Sequence, residues 1–212
     1  MTVPGTEGVT EVTTLEELRA IVGEPSGRAV TKERAALTEM DRRWLAASPL
    51  CLVATSDATG DCDVSPKGDP PGFARVLDDR TIAIPDRPGN KRVDGFVNLL
   101  ANPRIGLLFM IPGRGDTLRI NGSARIVSDA PFFDDMVVKG HRPKLAVVVD
   151  IEQVFFHCAK AFLRSQLWKP ETWRPDALPP HAHIVKAVQD TPETVDELLT
   201  YYGPSYEAGM YR

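Results

Sequence analysis

Three short phrases bring cations and amide donors beside glycine or proline. They are Asp63-Val64-Ser65-Pro66-Lys67-Gly68-Asp69, Ile84-Pro85-Asp86-Arg87-Pro88-Gly89-Asn90-Lys91-Arg92 and Thr117-Leu118-Arg119-Ile120-Asn121-Gly122. Where a chain turns this tightly, backbone N–H groups and basic side chains approach an anion closely, as a phosphate site requires. Each phrase alone also reads as an ordinary solvent-facing turn or strand face. Three in succession, all in a β-rich stretch, point to a phosphorylated ligand held on a barrel.

The cation-rich group Asn90-Lys91-Arg92 stands where a strand ends and a helix is expected to begin, and a helix start offers unpaired N–H groups and partial positive charge. Lys67 can reach the same anion from another strand. In the third phrase, strand alternation puts Thr117, Arg119 and Asn121 on one face and Leu118 and Ile120 on the other. No other chemistry competes. His181 and His183 stand in a Pro-flanked segment with no third ligand nearby, so no metal is expected. His157 and Cys158 are neighbours that a strand would point to opposite faces. The sequence contains no Gly-x-Ser-x-Gly elbow, Walker-type loop or dinucleotide-binding glycine fingerprint.

The elements that must position these phrases follow from periodicity and punctuation. Helices are expected over 14–23, capped by Thr13 or Thr14 and stopped by Gly23, and over 38–47, with Met40, Trp44 and Leu45 on one face. Residues 24–30 read as a loop. Strands are expected at 50–56, 62–65, 73–77, 81–85, 104–111, 117–127, 144–149 and 154–157, with helices at 93–101, 130–138 and 159–166. The 93–101 helix shows Val93, Phe96, Val97 and Leu100 at helical spacing. Closely spaced strands with Gly/Pro turns and few intervening helices predict a mainly β (α+β) antiparallel barrel rather than a doubly wound sheet. A Pro-rich connector over 170–180 then leads to two helices, 181–189 and 192–202.

Composition sets outer bounds. The 212 residues are 42% hydrophobic and 25% charged, the balance of one globular domain with appendages. A net charge of −4 gives no global basic field for nucleic acid. No apolar run approaches the length of a membrane span or a leader peptide, and three unpatterned cysteines fit a reducing compartment, so a cytoplasmic protein is expected.

At these residues the chain resembles the pyridoxamine 5′-phosphate oxidase-like split-barrel proteins that bind FMN. The likeness is carried by Ala83–Arg92, Asn102-Pro103, Arg104-Ile-Gly-Leu-Leu-Phe109 and Leu118-Arg-Ile-Asn-Gly122. Ser65-Pro-Lys-Gly-Asp69, Gly89-Asn-Lys-Arg92, Asn98-Leu-Leu and Arg164-Ser-Gln-Leu-Trp168 are similar to a bacterial subgroup of FMN-dependent enzymes within it. The resemblance implies a six-stranded antiparallel split β-barrel with flanking helices and a homodimer with FMN at the subunit interface. It gives Lys67, Lys91 and Arg92 to the phosphate, with Asn90 assisting, and Ile84, Pro85 and Asp86 to the flavin ring. Thr117 and Arg119 fall on the strand facing the flavin's polar edge, and Trp168 matches an aromatic that reaches the cofactor from the partner subunit.

The chain departs from pyridoxamine-phosphate oxidases proper, which carry Ser-Arg-Lys at the Asn90-Lys91-Arg92 position and an Arg-rich tail. Here the tail holds Tyr201, Tyr202, Tyr206 and Tyr211. The resemblance therefore carries FMN over, but not that substrate. The expected organisation is an N-terminal helical extension (1–30), a split-barrel FMN-binding domain (31–173) and a helical tail (174–212) packed on the barrel. That tail is expected near the flavin mouth, where it narrows the opening or clamps the dimer edge. The expected function is an FMN-dependent oxidoreductase acting on a small-molecule substrate, with no membrane or nucleic-acid partner and no assignable catalytic side chain. Its rivals are a storage or sensing flavin module and a barrel binding another ligand such as haem.

Overall fold

The computed structural model describes residues 8–211; the polar segment 1–7 and Arg212 lie outside the described residues. The chain divides into two compact units between Glu33 and Arg34. In the first, helix α1 (Leu15–Val22) is held by a capping box between Thr14 and Glu17 and ends at Gly23, as its punctuation predicts. Residues expected to be loop instead form the short helix α2 (Gly27–Thr31).

The second unit is built on a seven-stranded antiparallel sheet in the order β2-β1-β5-β6-β7-β4-β3, and the sheet is not closed. Six strands carry it: β1 (Leu50–Ser56), β2 (Cys62–Gly68), β4 (Thr81–Pro85), β5 (Arg104–Met110), β6 (Thr117–Val127) and β7 (Ala146–His157). The seventh, β3, is only Arg75–Val76. It corrects the expected count of six and shortens the strand foreseen over 73–77, since Pro70-Pro71-Gly72 on one side and the 78–80 turn on the other leave little to pair. The strands foreseen separately at 144–149 and 154–157 are one, β7, paired with β6 along its length. That pairing carries a bulge at Asn121/Gly122. A Cβ on Gly122 would fall 2.1 Å from the Asp150 carbonyl oxygen, so only glycine fits there.

Helix α3 (Glu39–Ala47) buries Trp44 and Leu45 as expected, but the third buried residue is Asp41, while Met40 faces outward. Asp41 repays its burial with several bonds. It accepts from the backbone N–H and hydroxyl of Thr38, and both its oxygens meet Arg34 Nη2 at 2.7 and 2.9 Å. Arg34 in turn pairs through its backbone with Val154 of β7, which ties the start of the unit to the sheet. Helix α4 (Asp94–Ala101) buries only Leu99, and the expected apolar face is largely exposed at Val93, Val97 and Leu100. Residues 131–136 form a 3-10 turn rather than an α-helix.

The main core is built on the sheet from Ile82, Ile84, Leu107, Phe109, Leu118, Ile120, Val149 and Val154 among others. After β7 come α5 (Lys160–Ser165), a connector with two 3-10 turns, then α6 (His181–Val188), α7 (Val195–Tyr201) and α8 (Pro204–Ala208). Among the described residues, no helix is long and apolar enough to cross a membrane.

Candidate functional site

A cavity of about 1180 Å³ opens beside β1, β2 and β4, where strands from the two ends of the sheet order approach one another. Its floor is apolar, with Val53 of β1, Ile84 and Pro85 of β4, Leu99 of α4 and Val147 of β7. Alternation along β2 turns Asp63, Ser65 and Lys67 to one side, and all three line the cavity. The 86–93 loop and the first turn of α4 form one rim, and His141 to Lys144 form another. Among the described residues, no three His, Cys, Asp or Glu side chains cluster as a metal site would.

Most cations at this cavity are already committed. Lys67 Nζ lies 2.8 Å from Asp86 Oδ1 and 5.1 Å from the centre of the Phe96 ring. Arg87 is bound to the buried carboxylate of Asp69 and donates to the Met136 carbonyl at 2.7 Å. Arg92 Nε meets Asp94 Oδ2 at 2.8 Å, and that hydrogen bond holds the guanidinium above its already high ordinary pKa. Arg142 bridges Asp134 and Asp129 at 2.7 and 2.8 Å. Lys91 and Lys144 are different: both are exposed at the rim, and neither has a carboxylate partner among the described residues.

The backbone of the 90–93 turn is unusual. Lys91 and Val93 both have left-handed conformations, with φ of 63° and 53°. For the β-branched Val93 this costs of order 1–3 kcal/mol, and such strain gathers at ligand clamps. Val93 also stands at the N-cap of α4 with no side chain capping the helix. Asn90 Oδ1 accepts from the Arg92 N–H at 3.1 Å and fixes the turn. The arrangement leaves the helix start open to an anion.

Of the residues singled out by sequence, Lys67, Ile84, Pro85, Asp86, Asn90, Lys91 and Arg92 are brought to this one cavity. Thr117, Arg119 and Trp168 are outside its lining in the same chain. Thr117 is buried in β6, and the Arg119 guanidinium lies 5.5 Å from the Phe155 ring. Trp168 stacks on Phe162 at 6.0 Å and donates from Nε1 to the Arg114 carbonyl at 2.6 Å.

Sequence reasoning missed several lining residues. Thr55 is buried in β1 and accepts from Asn98 Nδ2 at 3.2 Å, a contact that nothing in the strand's own pattern signals. Lys144 was detectable, because Gly140-His-Arg-Pro-Lys144 repeats the rule of cations beside glycine and proline at a strand edge. Tyr206 and Tyr211, by contrast, belong to the tail already singled out from the sequence, and both line the cavity. Cys51, buried within β1, has its thiol pushed up to about 12 by desolvation and is no nucleophile.

Residues 37–158 match the family profile described as pyridoxamine 5′-phosphate oxidase. The chain belongs to this family. No curated protein matches the chain. Among solved structures, HupZ of Group A Streptococcus is 23% identical over 57% of this chain and 93% of its own, with a TM-score of 0.45. A candidate pyridoxamine 5′-phosphate oxidase of Lactobacillus delbrueckii is 23% identical over 59% and 99%, with a TM-score of 0.46. An FMN-binding protein of Syntrophomonas wolfei is 14% identical over 56% and 89%, with a TM-score of 0.41. These likenesses lie too far from this family member to transfer a ligand or an activity.

Proposed function

We propose that this chain binds FMN in the cavity, as a homodimer with its sites at the subunit interface, and works as an FMN-dependent oxidoreductase on a small molecule. The observation that carries the reading is the pairing of an apolar floor with two uncommitted cations, Lys91 at a strained, uncapped helix start and Lys144 on the other rim. Small-ligand sites span roughly 300–1,000 Å³, so about 1180 Å³ is room for a mononucleotide and a substrate together.

In this reading Lys91 and Lys144 take the phosphate, and Arg92 joins them by exchanging its bond to Asp94. Asn90 holds the turn in shape. Ile84 and Pro85 form the wall for the ring, with the Lys67–Asp86 pair at its polar border. Bound flavin supplies hydride-transfer chemistry, while the protein supplies orientation and electrostatics. Arg119 and Trp168 are assigned to the cavity of the partner subunit, whereas Thr117 is enclosed in β6 of its own chain and takes no direct part. Exposed Val93, Val97 and Leu100 on α4 support such a dimer, since they form an apolar row with no cover in the single chain.

Titration of the purified chain tests the reading. FMN is expected to bind at least about tenfold tighter than riboflavin, the least that one charge-assisted phosphate bond contributes. Equal affinities overturn the phosphate assignment, and a haem absorbance band in place of a flavin one overturns the cofactor. Reduction by a nicotinamide donor with onward electron transfer distinguishes an enzyme from a storage or sensing module.

A further inference from the structure

The C-terminal helices pack chiefly on themselves. Ala182, Val185 and Leu198, with Tyr202 against them, form a small apolar cluster separate from the main core. Tyr202 lies 4.7 Å from the His181 ring, 4.9 Å from Tyr201 and 5.5 Å from Tyr206, so the three helices are joined by their own aromatic rings. Tyr206 and Tyr211 nevertheless both line the cavity.

Tyr211 is where the tail is fastened. Its hydroxyl donates to Asp69 Oδ1, while Arg87 Nε donates to the other oxygen of the same carboxylate. The Asp69 side chain is 1% exposed, so each donor satisfies an acceptor that water reaches poorly. The Tyr211 ring lies 5.8 Å from the Arg87 guanidinium, 5.4 Å from Lys139 Nζ and 6.1 Å from the His141 ring. The phenol therefore sits among groups that complement both its edge and its face.

We propose that helices α6–α8 are a gate over the cavity, latched by Tyr211 on the Asp69–Arg87 pair, and that this gate selects what enters by size. A body with its own apolar cluster swings without unfolding, and a single charge-assisted bond is weak enough to break and remake during a catalytic cycle. The proposal deepens the functional reading above but concerns the cavity itself, so it is tested without flavin and the two fail separately.

Ser65, on the cavity face of β2, is converted to the reporter Ser65→Cys in a full chain carrying Cys62→Ser and Cys158→Ser. Labelling by N-ethylmaleimide is compared with labelling by the bulkier fluorescein maleimide. Tyr211→Ala, and separately truncation after Gly203, are expected to speed the bulky reagent about tenfold, the factor that losing one charge-assisted bond from the closed state implies. The small reagent is expected to change less than about twofold, since it passes the closed gate already. Tyr211→Phe, which keeps the ring and loses the donor, is expected to fall between. An unchanged bulky-reagent rate in both variants overturns the gate. Equal acceleration of both reagents overturns selection by size. Equal acceleration at native Cys62, which lies outside the cavity, in chains without the reporter shows general loosening and also overturns it.

Discussion

Lys67 on edge strand β2 and Asp86 just beyond β4 stand 2.8 Å apart, although their strands lie toward opposite ends of the sheet order. Asp69 and Arg87 repeat the connection one step along. The open sheet is thus drawn together by two ion pairs, and the cavity lies beside them. Cations placed there for structure are not available to a ligand until something displaces their carboxylates. That distinction decides which substitutions report on binding.

Lys91→Ala and Lys144→Ala are each expected to weaken FMN by about ten- to a hundredfold, because a charge-assisted bond to phosphate contributes roughly 1.5–3 kcal/mol. Riboflavin affinity should stay nearly constant. Asp94→Asn should act in the opposite direction and tighten FMN, since it releases Arg92. Fluorescence titration with both ligands measures all three; parallel losses for riboflavin would remove these residues from the phosphate seat.

Val93→Gly relieves the left-handed strain at a position about half exposed, so the packing lost is limited. The ligand-free chain is expected to gain about 1 kcal/mol in urea unfolding. A loss of stability would show that the Val93 side chain contributes more packing than its exposure implies.

Asp41→Ala leaves Arg34 without its carboxylate and removes the reciprocal half of the α3 capping box, while the Thr38 cap itself remains. Because Arg34 retains access to water, a loss of about 2–3 kcal/mol is expected rather than the largest values for buried pairs. Denaturant unfolding of the variant measures it, and a change under about 0.5 kcal/mol would assign the pair no stabilising role.

The hydrogen bond to Asp69, then burial, then the Asp69 charge raise the Tyr211 pKa, with Arg87 opposing. The protonated phenol is the form the folded state favours. Its contribution is therefore complete below the ordinary phenol value of about 10 and is lost as pH rises through the higher folded value. Cleavage of the tail by a protease active in alkali should increase across that window in the natural chain. The same increase in Tyr211→Phe would assign it to another group.

Leu100→Glu places a charge in the exposed α4 row. If this row joins two subunits, light scattering should show the dimer shifting to monomer, with FMN affinity falling in parallel. An unchanged mass would locate the subunit contact elsewhere.

Local rules made many elements legible. Thr14 and Gly23 bound α1, Thr38 starts α3, and the strands β1, β4 and β6 follow directly from apolar runs between turn residues. The phrases around Lys67 and Asn90-Lys91-Arg92 could be nominated together for one site because glycine, proline and cations act over a few residues. Burial could not be read in the same way. Helical spacing nominated Val97 and Leu100, yet α4 buries Leu99, because the face that turns inward depends on where the sheet lies. Nor does local pattern reveal which cation meets which carboxylate. Lys67 and Asp86 are 19 residues apart, and Tyr211 and Asp69 are 142 apart. Short-range chemistry wrote the strands and the basic turns into the sequence. Tertiary structure decided the rest, because only the folded sheet brings distant residues together: which charges are neutralised, which stay unpaired at the cavity rim, and that Tyr211 meets Asp69.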